Sequence, residues 1–83
     1  MQLAEKIRTK LDEILDEEAI VQLIDDRGDG YHFSLTIVSK IFEGQNRIKR
    51  SQMIHAALDD LLKSGELHAL QLKLKTPEEN GQN

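Results

Sequence analysis

The sequence predicts an α+β domain: a three-stranded sheet with two helices packed on one face. Three patterns lead there. Leu3, Ile7, Leu11, Ile14 and Leu15 recur every three or four residues, and so do Met53, Ile54, Ala57, Leu58, Leu61 and Leu62. That spacing gathers each set on one face of a helix. "YHFSLTIV" (31–38) and "LHALQLKLK" (67–75) alternate apolar and polar residues, which is the period of a half-buried strand. "DDRGDG" (25–30) brings two glycines to a polar stretch, the composition of a turn.

The elements follow in order. The first helix is expected over about residues 2–17, with Glu5, Lys6, Arg8, Asp12 and Glu13 on its wet side. "AIVQLID" (19–25) is β-branched and apolar, and with the turn and the next strand it makes a β-hairpin. "SKIFEGQN" (39–46) breaks the alternation. A second helix is expected at about 50–64, with a short helical turn at 46–49, Asn46 or Ser51 as its cap and Gly65 just past its end. The third strand stops at Thr76-Pro77, because proline cannot continue a ladder. "EENGQN" is polar and reads as frayed, which gives one domain over 1–79 and a tail over 80–83. The order is α-β-β-α-β. Two helices over one sheet face is the simplest way to bury both apolar stripes.

Composition narrows the function classes. A chain of 83 residues predicts one domain, and 39% apolar content supplies one core. There is no cysteine, so no disulfide, no thiolate nucleophile and no all-Cys metal site can come from this chain alone. No apolar run approaches a membrane span, and "MQLAEKIRTKLDEIL" lacks the apolar stretch of a signal peptide. A cytoplasmic or organelle-matrix location, stroma included, is the expectation, with no membrane association. The net charge is −4, yet it is divided: Asp12 to Asp29 is acidic, whereas Lys40, Arg47, Lys49 and Arg50 face only Glu43. The acidic total opposes tight non-specific nucleic-acid binding, and the basic run "NRIKR" keeps a local phosphate or acidic-partner contact open.

Three histidines carry the remaining chemistry. His55 falls at the side of the second helix, where a surface histidine is the plain explanation. His32 sits on the polar side of its strand beside the glycine-bearing turn, and His68 falls in phase with Leu70, Leu72 and Leu74. Each is by itself an ordinary surface or rim histidine. No HExxH or His-x-His spacing makes a local metal motif, and no GxSxG, Walker or dinucleotide loop is present. "DDRGDG" lacks the closing glutamate of a calcium loop. The chain therefore does not read as an enzyme. Strand parity places His32 and His68 on opposite faces, which argues against a simple pair unless the strand ends break it.

Taken together, "HFSLTIVSKIFEG" (32–44), "RIKR" (47–50), "AAL" (56–58) and "HALQLKLKTPEE" (68–79) resemble the BolA family, over roughly residues 3–79. "GDGYHF" is similar to its IbaG-like branch. The resemblance implies an α-β-β-α-α-β order akin to the class II KH fold, with a short helical turn before the long second helix. It implies partnership with a monothiol glutaredoxin and a [2Fe–2S] cluster shared across the heterodimer, in iron–sulfur trafficking or iron sensing. Glutaredoxin and glutathione would supply thiolates, and this chain nitrogen; none would be bound by this chain alone. The family's ligand histidine falls on His68. Its second ligand comes from a His or Cys in the hairpin loop, and "DDRGDGY" has neither, so His32 is the one candidate nearby. Imidazole must be neutral to ligate, so binding weakens on acidification.

The resemblance also implies DNA binding in transcriptional or stress control, with Arg47, Lys49 and Arg50 on phosphates. The KH-type GxxG loop is absent, since "QNR" follows Gly44, and Asn80 stands where the family has Trp. A homodimer of the apo chain, and a plain interaction module indifferent to iron, are the other states to distinguish.

Overall fold

A computed structural model describes residues 2–81. The order is α1 (Leu3–Asp12), β1 (Ile20–Asp25), β2 (His32–Val38), a 3-10 turn (Lys40–Phe42), α2 (Arg47–Ala57), α3 (Asp59–Ser64), β3 (Ala69–Lys75) and α4 (Pro77–Gly81). The strands lie in the order β1-β2-β3, with β1 antiparallel and β3 parallel to the central β2. Pairing aligns Leu23, Leu35 and Leu72 in one row and Val21, Ile37 and Leu74 in another. These rows form the inner face. Ile7 and Leu11 of α1, Phe42, and Ile54, Leu58 and Leu61 of the later helices close over it, all buried. The other face shows Gln22, Thr36 and Lys73 in register, and none of the helices among the described residues places its buried side chains there.

The hairpin and the third strand lie where alternation puts them. The helices differ in detail. The first stops at Asp12 and gives way to turns, so Ile14 is left exposed at 38%. Asp12, Glu13 and Asp16 to Glu18 crowd its end, where the helix dipole disfavours negative charge. The second begins at Arg47, with the Asn46 side chain accepting from the Lys49 N–H at 2.9 Å, and it is two helices, not one over 50–64. The chain turns at Leu58 (φ −104°, ψ 12°), and Asp59 and Asp60 open α3 at the end where acidic side chains are favoured. Gly65 closes it with φ +83°, the left-handed conformation glycine adopts freely.

The tail also differs. Pro77 to Gly81 is helical, so the expected boundary at residue 80 falls inside α4, while Gln82 and Asn83 lie outside the described residues. "TPEE" is a capping box: the Glu79 carboxylate accepts from the Thr76 N–H (2.8 Å), and the Thr76 hydroxyl accepts from the Glu79 N–H (3.2 Å). Pro77 ends β3 and starts α4, since its missing N–H costs nothing at a first helical position.

Ser39 ties these parts together. It is 1% exposed, donates to the Asp16 carboxylate and accepts from the Ile41 N–H at 3.2 Å. One hydroxyl thus caps the 3-10 turn and fastens it to the segment between α1 and β1.

Candidate functional site

The hairpin turn is built by its own aspartates. Asp25 accepts from the Gly30 N–H at 2.9 Å. One oxygen of Asp29 accepts from the Tyr31 N–H (2.8 Å) and the His32 N–H (3.3 Å). Gly28 and Gly30 take φ of +67° and +80°, which lets the chain turn this tightly. The Tyr31 N–H, and behind it the His32 ring, hold the Asp29 carboxyl below its ordinary range, so it is ionised at neutral pH.

The turn delivers His32 to the rim of the sheet, and β3 delivers His68 to the same place. β2 and β3 pair from His32 against Ala69, so His68 lies one residue before the ladder and beside Tyr31. Its N–H donates to the Tyr31 carbonyl at 3.1 Å. The Tyr31 and His68 rings stack with centroids 5.0 Å apart and planes at 21°. The His32 ring meets His68 edge-on, at 6.0 Å and 82°. Parity along the strands set these two histidines on opposite faces. Past the last paired residue the side chains are no longer bound to the pleat, and the rings meet around the sheet's end. His68 is exposed and His32 half-buried.

Asp29 was not among the candidates the sequence offered. Its second oxygen lies 2.7 Å from Nδ1 of His32. A signal existed in "DGYH": an aspartate three residues before a histidine, across a turn that folds the side chain back onto the next N–H groups. His55 is exposed on α2 and takes no part in this cluster.

The basic run divides in two. Arg47 and Lys49 are exposed. Arg50 is folded back: it donates to the Gln45 carbonyl (2.8 Å), the Leu74 carbonyl (3.2 Å) and the Glu79 carboxylate (2.7 Å), and lies 5.9 Å from the centre of the Phe42 ring. Arg50, expected with Arg47 and Lys49 to contact phosphates, has donors engaged within the protein, which sets it apart from the two exposed cations. Between α2 and β3 runs a groove of about 510 Å³ bordered by Arg47, Lys73 and Lys75 and by the paired Arg50 and Glu79. Lys73 and Lys75 join its rim because β3 is an edge strand, a relation not visible along the chain.

A mixed three-stranded sheet, helices on one face, and an imidazole pair where hairpin and last strand meet define a small α+β domain of a known type. The chain belongs to the BolA family: the family model described as BolA-like protein matches residues 3–79. The chain is similar to BolA-like protein 1 of Pongo abelii, 38% identical over 85 residues that cover 93% of this chain and 60% of that protein. It is similar to the acid stress protein IbaG of Escherichia coli, 35% identical over 52 residues, 63% of this chain and 62% of that one. Among solved structures it resembles the BolA domain of SufE1 from Arabidopsis thaliana, with a TM-score of 0.74, 42% identity, and 90% of this chain and 92% of that one covered. The chain spans about 60% of the length of these two curated relatives.

Proposed function

We propose that the chain is a non-enzymatic adaptor that pairs with a monothiol glutaredoxin and shares a [2Fe–2S] cluster with it, in iron–sulfur trafficking or iron sensing. The observation that carries this is the meeting of His32 and His68 at 6.0 Å on the open rim of a cysteine-free chain. Family membership, and the likeness to the BolA domain of SufE1, support it.

The donor set fits a shared cluster. A metal sits about 2 Å from an imidazole nitrogen, so two such nitrogens on one metal lie within about 4 Å of each other. The two ring centroids lie 6.0 Å apart, so the rings are neighbours on one rim, and His68, which is exposed, is the ring free to adjust. Among the described residues no group of three or more His, Cys, Asp or Glu side chains is arranged to hold a metal ion, so the other ligands must come from a second molecule. When bound, the cluster supplies the cargo and a redox centre whose potential rises with imidazole ligation. The chain's own part is to present His68, braced by Tyr31, and His32, braced by Asp29, on a surface that a partner can cover.

The test is co-expression with a glutaredoxin and visible absorption and circular dichroism of the purified pair. His68→Ala is expected to lose the cluster bands. An unchanged spectrum overturns the reading.

A second reading is phosphate-backbone binding along the groove of Arg47, Lys73 and Lys75, favoured by the three cations left once Arg50 and Glu79 have paired with each other on a chain of net charge −4. Duplex DNA titrated at two salt concentrations tests it, and no binding at low salt removes it.

A further inference from the structure

We propose that Asp29 is a positioning residue that fixes the tautomer of His32, so that Nε2 keeps the lone pair and serves as the ligand atom. This inference rests on the cluster-sharing reading above and adds the device that prepares its second ligand.

The geometry is specific. An ionised carboxylate can only accept, so the nitrogen 2.7 Å from Asp29 must carry the hydrogen. That nitrogen is Nδ1. A neutral imidazole has one N–H, and placing it on Nδ1 leaves Nε2 bare. The carboxylate is held towards the ring, because its other oxygen accepts from the Tyr31 and His32 N–H groups. The turn beneath is braced again by Asp25 on the Gly30 N–H. Aspartate, turn and ring therefore form one unit. A carboxylate behind a ligating histidine orients the ring and raises its basicity, and losing such a partner typically costs about 10–100-fold in metal affinity.

A plainer role for Asp29 is to close the turn alone. Asp29→Asn separates the two. The asparagine oxygen is kept on the two backbone N–H donors, which would repel its amide. Its NH₂ then faces Nδ1 and favours a lone pair there, which sends the ring hydrogen to Nε2 and blocks the ligand atom. A turn-closing role predicts no such inversion.

The experiment uses the full apo chain and ring-nitrogen correlation NMR at a pH where imidazole is neutral. The wild type is expected to show His32 protonated at Nδ1, and Asp29→Asn at Nε2. Asp25→Asn, which disturbs the turn and not the ring, is expected to keep the wild-type tautomer. The Tyr31 amide signal reports whether the turn survives. In the glutaredoxin pair, Asp29→Asn is expected to weaken cluster retention about 10–100-fold. A wild-type His32 protonated at Nε2, or a tautomer unmoved in Asp29→Asn, overturns the proposal. A wild-type pair that takes up no cluster overturns the parent reading, while the apo spectra still decide the role of Asp29.

Discussion

The Arg50 guanidinium lies in two-point contact with the Glu79 carboxylate, at 2.7 and 3.4 Å, and joins the start of α2 to the C-terminal helix α4. Arg50, and next the Thr76 N–H, hold the Glu79 carboxyl down at about 2 against an ordinary 4.5. A carboxyl depressed on folding stabilises above its unfolded value and loses that contribution as pH falls through the folded one. Stability from this contact is therefore complete above about 4.5 and fades towards about 2. Asp16, Asp29 and Glu66 are shifted the same way, so Glu79→Gln should flatten the acid limb of the urea-denaturation profile in part. An acid limb identical to the wild type would show the contact to be inert.

Arg50 and Arg47 should part company under substitution. Arg50→Ala strips a charged donor from the Gln45 and Leu74 carbonyls and should cost about 1–3 kcal/mol in denaturant unfolding. Arg47→Ala, at an exposed position, should leave stability within about 0.5 kcal/mol. If the groove binds DNA, Arg47→Ala should lower the salt slope by about 1. A slope that responds to Arg50 and ignores Arg47 would contradict this division.

Ser39→Ala should destabilise by about 1–2 kcal/mol, since it removes the cap of the 3-10 turn and the partner of Asp16 together. Thermal melting at neutral pH measures it. The variant should lose less than that at low pH, where Asp16 is protonated and its half of the contact is already weakened.

Tyr31→Ala removes the ring stacked on His68. Aromatic pairs of this kind are worth about 0.5–1.5 kcal/mol, so if the proposed glutaredoxin pair holds a cluster, its retention should fall about 2–10-fold. Tyr31→Phe should behave as wild type. Equal losses in both variants would point to the hydroxyl and not to stacking.

The sheet was legible because alternation is strict where strands are paired. Phe33, Leu35 and Ile37 are buried as their spacing requires. Legibility ends with the pairing. His68 precedes the first residue of the ladder, so its phase with Leu70 no longer decides which way its ring turns. The helix boundaries depended on charge as much as on apolar spacing: the acidic run after Asp12 and the aspartates after Leu58 both mark ends that periodicity runs through. Thr76 and Glu79 carried a capping pattern in plain view, hidden by the polar composition around it. Arg50 looked like its neighbours because its partner, Glu79, lies 29 residues away.

The parallel pairing of β2 with β3 bears on how the site comes into being. β1 and β2 are joined by a short turn, whereas β3 reaches β2 only after α2 and α3 have been laid across the sheet. Closing a local hairpin is fast, and closing a long crossover is slow. His32 belongs to the local hairpin and His68 to the distant crossover, so the two rings meet only where both pairings are formed. A change that loosens the crossover is therefore expected to part the rings even where the hairpin stays intact.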